Sequence, residues 1–282
     1  VNGNDVRWLA KKAARRAVSL VSGPSAAGAL RRSQPTIRVL TYHRVQACRR
    51  DPFALPPPEF EAQIAAISAS GRAIGLDRLL GFLAGTEPSG PVHHRLLVTI
   101  DDGYASTLTE AAPILRRHGV PAVAFVTTSR IGTRGDGPER LLDRDEVGAL
   151  ATFGIAVGSH AADHRSLGGS LDNRQLAKQT AGSKDALETM LGHEVAAFAY
   201  PFGTKADHSS ASRASIQAAG YRAAFTSRHG PVRTSSDPLT LPRIKIESGD
   251  PPSVFTGALN GTLDAWRLVD DLLFRFQATV RS

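Results

Sequence analysis

The chain has a single cysteine, Cys48, in 282 residues, which excludes an intramolecular disulfide framework and a cysteine-based zinc site. Any metal must therefore be held by histidine and carboxylate. Aromatic residues make up only 6% of the sequence and do not interleave with basic residues as base-stacking side chains do, which argues against nucleic acid as a partner. No apolar run approaches the length of a membrane span, and the first residues lack the apolar core of a secretory signal.

The formal net charge of +8 is unevenly spread. Residues 1–50 hold 11 Lys and Arg against Asp5 alone, while the remaining 232 residues hold 23 basic and 25 acidic groups. The body is nearly neutral, and the excess belongs to its N-terminal segment. There Arg7, Lys11, Lys12, Arg15 and Arg16 line one side of a possible helix, and Leu9, Ala13, Ala17 and Leu20 the other. Such a pattern predicts peripheral contact with an anionic membrane surface or an acidic polymer; the alternative is a solvated basic helix. Gly23, Pro24 and Gly28 read as a linker, so residues 1–33 form a basic segment and linker and residues 34–282 the folded body. With 41% hydrophobic content, the chain is long enough for one sizeable α/β domain.

The body alternates strand and helix patterns. Strands are predicted over residues 37–43, 96–100, 122–128, 154–159, 195–200, 222–226 and 241–246. Helices are predicted over 58–70, stopping at Gly71, and over 109–118, stopping at Gly119. Asp143 and Glu146 form a capping-box start for a helix that ends before Gly154. The longest helix is predicted over 171–191, interrupted at Gly182. A last one over 263–278 sets Leu263, Trp266, Leu273 and Phe276 along one stripe. This alternation implies a parallel sheet, and seven units imply an incomplete barrel rather than an open doubly wound sheet.

Two strand ends carry chemistry. The apolar run 96–100 runs into Asp101, Asp102 and Gly103, and the run 154–159 into His160, Ala161, Ala162, Asp163 and His164. Taken alone, Asp-Gly is a turn signal and histidines four apart are a solvated helix face. Together they make a three-ligand metal site with open positions, and one carboxylate to spare beside it.

With a third segment, Phe198-Ala199-Tyr200-Pro201-Phe202-Gly203, these motifs make the sequence resemble the polysaccharide deacetylases of carbohydrate esterase family 4 over most of residues 36–250. The resemblance implies a distorted (β/α)7 barrel. It implies that Asp102, His160 and His164 bind a divalent metal, usually zinc in that family, and that Asp101 is the general base. Tyr200, Pro201 and Phe202 would contact substrate; since proline has no N–H, the Phe202 amide is the nearest oxyanion donor. Two positions depart from the family pattern. Ala199 stands where many members carry an arginine that pairs with the catalytic aspartate, and Ala161 stands where Ser or Thr is common. Arg243 is the candidate to replace that arginine from a neighbouring strand end, the alternative being a structural ion pair. The late acid histidine of the usual order has no counterpart on a convincing strand, since only His208 and His229 follow Phe202. His43, at the end of the first predicted strand, takes its place as general acid, as in a circularly permuted branch that de-N-acetylates biofilm exopolysaccharides. The alternative is a buried core histidine. Asp163 is a candidate acceptor for a ligand imidazole, or a solvated loop carboxylate.

The resemblance implies metal-dependent de-N-acetylation of an N-acetylated polysaccharide or oligosaccharide, with zinc or another divalent metal as cofactor. The alternatives are a cyclic amide or ureide hydrolase on the same fold and a non-catalytic glycan-binding barrel. A complete chain is expected in a bacterial cytoplasm or peripheral to the membrane; one that has lost a signal is expected in the periplasm.

Overall fold

Seven short strands lie side by side in one parallel sheet: β1 (Thr36–Tyr42), β2 (His94–Ile100), β3 (Ala122–Val126), β4 (Ile155–Ser159), β5 (Ala197–Ala199), β6 (Ala223–Phe225) and β7 (Ile244–Lys245). Their spatial order is β6-β5-β4-β3-β2-β1-β7, so the first strand sits between the second and the last. The computed structural model describes residues 3–21, 35–48, 51–86, 94–134, 139–169 and 171–278. The predicted linker around Gly23, Pro24 and Gly28 lies outside the described residues, as do the side chains of Leu273 and Phe276.

All seven predicted strands fall in this sheet; β1 begins one residue and β2 two residues before the predicted start, and the other five are trimmed. The sheet curls into an incompletely closed barrel, because Leu241, just before β7, bridges Phe225 of β6 through two backbone hydrogen bonds of 2.8 Å. Both faces are buried, as parallel strands require. Val39, Leu97, Val123, Phe125 and Phe225 fill the lumen, whereas Leu40, Leu96, Val98, Ile100 and Ala124 face the surrounding helices.

The helices are α1 (Gly3–Val21), α2 (Pro57–Ala69), α3 (Leu76–Leu83), α4 (Ala112–Arg117), α5 (Arg144–Ala149), α6 (Asn173–Gln179), α7 (Ala181–Leu191), α8 (Ser210–Ala218), α9 (Pro252–Asn260) and α10 (Trp266–Ala278). The sequence pattern does not predict α3, α8 or α9. Helix α3 joins the lumen cluster with Leu79 and Leu80, and so plugs one end of the barrel. The long helix predicted over 171–191 is two helices, and the break falls at Thr180 rather than Gly182. There the Thr180 hydroxyl donates to the Leu176 carbonyl at 3.0 Å and meets the Ser215 hydroxyl at 2.8 Å.

Helix α1 docks through part of its basic side, with Lys11 and Arg16 left exposed. Lys12 and Arg15 are buried while Leu9 and Leu20 are 53% and 69% exposed. The reason is a pair of acids beyond β7. Lys12 Nζ donates to Glu247 at 3.1 Å and to Asp250 at 3.0 Å, and Arg15 Nε donates to Asp250 at 2.9 Å. Unmatched, such charges are expelled from a protein interior; matched, they dock the helix.

Candidate active site

Strand register brings the chemistry-bearing ends to one mouth of the barrel. Tyr42 pairs with Ile100, and Val126 with Ser159, so His43, Asp101 and His160 each emerge one residue past a paired position. Asp101 extends the ladder by one bond, its N–H donating to the Tyr42 carbonyl at 2.9 Å. Asp102 then adopts a positive φ of 76°, which swings its carboxylate away from that of its neighbour. Among the described residues, the non-glycine residues with positive φ are Asp102, Ala161, His164 and Phe202, all of them within the three motifs. Left-handed backbone at residues with a Cβ stores roughly 1–2 kcal/mol each and collects where geometry is functionally constrained. Gly203 closes the third turn at φ 64°, where a Cβ would come within 2.6 Å of the Ser227 nitrogen.

The two aspartates face different partners. Asp101 lies against Arg243, whose Nη1 and Nη2 reach its two oxygens at 2.7 Å each. Arg243 is itself fixed by donating Nε to the Thr226 carbonyl at 2.9 Å, with its guanidinium 5.7 Å above the Phe125 ring. Burial pushes the Asp101 carboxyl up, but Arg243 and His160 outweigh it and hold the group below its ordinary range. Asp102 instead meets His160 Nε2 at 3.3 Å and His164 Nε2 at 3.2 Å through one oxygen. Burial acts upward on Asp102 as well, and the two imidazoles override it, leaving the carboxyl well below the usual range.

The fold implies a metal, and the donor set fits one. One ligand atom from each of Asp102, His160 and His164 lies within 4.8 Å of the others. His160 Nδ1 is 2.8 Å from the Ala199 carbonyl, an oxygen that can only accept, so that nitrogen donates its proton there and Nε2 is the atom that would face a cation. Ala199 thus acts through its backbone. Asp163 was the sequence candidate for such an acceptor, but its carboxylate forms an ion pair with Arg165 at 3.2 Å. His164 is wedged by ring contacts to His160 at 5.0 Å and Phe202 at 4.8 Å.

His43 is half-buried and packs on Phe53 with ring centroids 4.7 Å apart. Burial lowers its pKa, and Asp102 and Asp101 offset part of that. Tyr200 spends its hydroxyl on the Leu239 carbonyl at 3.0 Å. His208 and His229 stand elsewhere: His208 lies behind Tyr200 at 5.4 Å, and His229 is buried with Nδ1 2.8 Å from Asp270.

A cavity of about 860 Å³ joins these groups, lined by His43, Asp101, Asp102, His160, His164, Tyr200, Phe202 and Arg243. Arg44, Phe53, Tyr104, Lys245 and Glu247 also line it, as do Ala10, Lys11, Ala14 and Val18 of α1 and Trp266 and Val269 of α10. The sequence pattern assigns none of these to the site, although it places Lys11 and Trp266 on predicted helices. Tyr104 and Arg44 adjoin motif residues; the helix residues carry no local signal.

Residues 90–224 match the family model described as Polysaccharide deacetylase. This stretch, just under half of the chain, is similar to that family. It is 24% identical over 217 residues to the putative polysaccharide deacetylase YxkH of Bacillus subtilis, covering 77% of this chain and 74% of that protein. Two solved structures share the fold. The Streptococcus pyogenes deacetylase PplD in complex with acetate superposes with a TM-score of 0.70 at 20% identity, covering 80% of this chain and 99% of that one. IcaB from Ammonifex degensii superposes with a TM-score of 0.70 at 24% identity, covering 80% and 97%. The match over residues 90–224 and the His/Asp cluster together support a metal-dependent hydrolase.

Proposed function

We propose that this protein hydrolyses the N-acetyl group of amino sugars in a bacterial exopolysaccharide or related glycan, releasing acetate and exposing a free amine. The observation that carries the reading is the division of two adjacent carboxylates, Asp101 against Arg243 and Asp102 against two imidazoles. The names of the relatives agree with it, as does the acetate in the PplD complex.

In this reading Asp102, His160 and His164 hold a divalent cation, zinc being the family's usual choice. Such an ion, when bound, supplies a Lewis acid for the acyl oxygen and makes water more acidic. Asp101 takes the proton of the attacking water, and Arg243 keeps Asp101 ionised and aimed. The Phe202 N–H, on the turn after Pro201, donates to the oxyanion while Tyr200 shapes the wall. As the C–N bond breaks, His43 protonates the departing amine; a depressed pKa makes it a stronger acid once charged. The position of His43 at the end of β1, beside the strand that carries both aspartates, supports the permuted branch in which the acid histidine comes first.

The test is acetate release from a panel of N-acetylated glycans, before and after chelation and zinc restoration, with Asp102→Ala alongside. Zinc-restored acetate from at least one glycan, absent in the variant, is expected. Cleavage of a cyclic imide with no acetate from any glycan would replace this reading with a cyclic amide hydrolase.

A further inference from the structure

Helices α1 and α10 lie outside the residues that match the family model, yet both form walls of the catalytic cavity. Residues 10, 14 and 18 of α1 recur at one per turn, so Ala10, Ala14 and Val18 present a single face. Trp266 and Val269, spaced i and i+3 on α10, continue it. The placement is built rather than incidental. Lys12 and Arg15, on the adjoining face, anchor α1 through Glu247 and Asp250, and Arg15 Nη2 donates to the carbonyl of Lys245 at 2.8 Å. Trp8 packs onto Gly249, where a Cβ would meet the indole at 2.4 Å. Ser19 and Thr262 pair at 3.0 Å at the far end of the helix.

The cavity therefore has two unlike sides. One carries Asp101, Asp102, His160, His164 and Arg243. The other carries methyl, isopropyl and indole surface from α1 and α10, bordered by Lys245 and Glu247, and Lys11, the charged residue of α1 on this cavity, is paired to Glu247 at 2.7 Å. A hydroxyl-rich ring laid on that side would exchange water for groups that cannot hydrogen-bond, which is unfavourable. An alkyl chain laid there gains with each methylene buried.

We propose that α1 and α10 form an apolar subsite, centred on Ala14, Val18 and Val269, that binds an alkyl chain carried by the amino sugar being deacylated. The inference rests on the reading given under Proposed function for the reaction itself. The chain enters either at the anomeric oxygen or as a longer N-acyl group, and the chemistry of the wall is the same for both.

The experiment compares methyl and octyl glycosides of N-acetylglucosamine, and separately the N-acetyl and N-octanoyl forms of the methyl glycoside, on the zinc-loaded full chain. In one of the two comparisons the alkyl substrate is expected to exceed its short partner at least tenfold in kcat/KM, and the comparison that responds names the attachment point. Ala14→Glu should reduce that ratio to within twofold of unity. Ala13→Glu, which places the same charge on the side of α1 away from this cavity, should leave the ratio unchanged. Ratios near unity in both comparisons, or equal effects of the two variants, overturn the proposal. Calorimetric titration with octyl glucoside, which has no acyl group, separates this failure from failure of the deacetylase reading. Saturable binding lost in Ala14→Glu supports the subsite even if no sugar is hydrolysed, and no binding to the unmodified protein overturns it.

Discussion

Arg243 holds Asp101 by both oxygens, at 2.7 Å each, across a barrel mouth from which both side chains are almost wholly withdrawn from water. The two residues come from β2 and the approach to β7, which are not neighbours in the sheet because β1 lies between them. A fork of this kind fixes orientation as well as charge. Arg243→Met should lower turnover by roughly 10²-fold or more, the scale of a mispositioned general base. It should also destabilise the fold by about 3–5 kcal/mol, since a buried carboxylate is left without its partner. Asp101→Asn in the same chain should restore part of the stability and none of the activity, as urea unfolding and acetate assays on the four members of the cycle would show. Additive stability losses would mean that the two residues do not act as a pair.

The role proposed for His43 predicts a dependence on the leaving group. His43→Gln should reduce N-acetyl hydrolysis by about 10²–10⁴-fold, the usual contribution of a general acid. Hydrolysis of 4-nitrophenyl acetate, whose leaving group departs without a proton, should fall less than tenfold. Bound zinc should stay at the level of the unmodified protein. Equal losses on both substrates would assign His43 to something other than protonation.

Ligation by Asp102, His160 and His164 can be read without any turnover. A cation that binds the folded chain and not the unfolded one raises stability by about 2.7 kcal/mol at a hundred times its Kd. Zinc should therefore raise the melting temperature of the apo-protein in a concentration-dependent way, and Asp102→Ala or His160→Ala should abolish the rise. A zinc-induced rise that persists in both variants would place the metal elsewhere.

The strands and the motifs are legible in the sequence because their signals are local. Apolar runs such as 96–100 stop at punctuation, and the ligands stand at fixed offsets from those stops. Helix α3 lacks such a signal: it is eight residues long and opens on Gly75 with no side-chain cap, so only the lumen that Leu79 and Leu80 plug explains it. Helix α8 does have a capping box, but one made by Ser209 and Ser212 rather than by the usual Glu or Gln. The acceptor for His160 is the backbone oxygen of Ala199, and every residue type has one. The orientation of α1 is the plainest case. Its period correctly groups Lys12 with Arg15, but which face points inward is decided by Glu247, 235 residues from Lys12.

The buried pair His229 and Asp270 predicts how stability depends on pH. Burial drives the His229 pKa down to about 4, with Asp270 opposing only in part, while Asp270 itself is held down to about 2, its hydrogen bond to His229 and the charge of Lys245 overcoming burial. Both folded values lie below those of the unfolded chain, so both groups contribute stability at neutral pH that is lost on acidification. For His229 the window runs from 6.5 down to about 4: there the unfolded chain takes up a proton that the folded one refuses. A tenfold loss of proton affinity corresponds to about 1.4 kcal/mol, so the full effect is on the order of 3 kcal/mol. His229→Gln, neutral at every pH, should start less stable at pH 7 and lose less between pH 7 and 5, so that the two chains converge on acidification. Urea unfolding at pH 7, 6 and 5 measures the difference, in which every other histidine cancels. Parallel stability curves would show that His229 is protonated alike in the folded and unfolded chain.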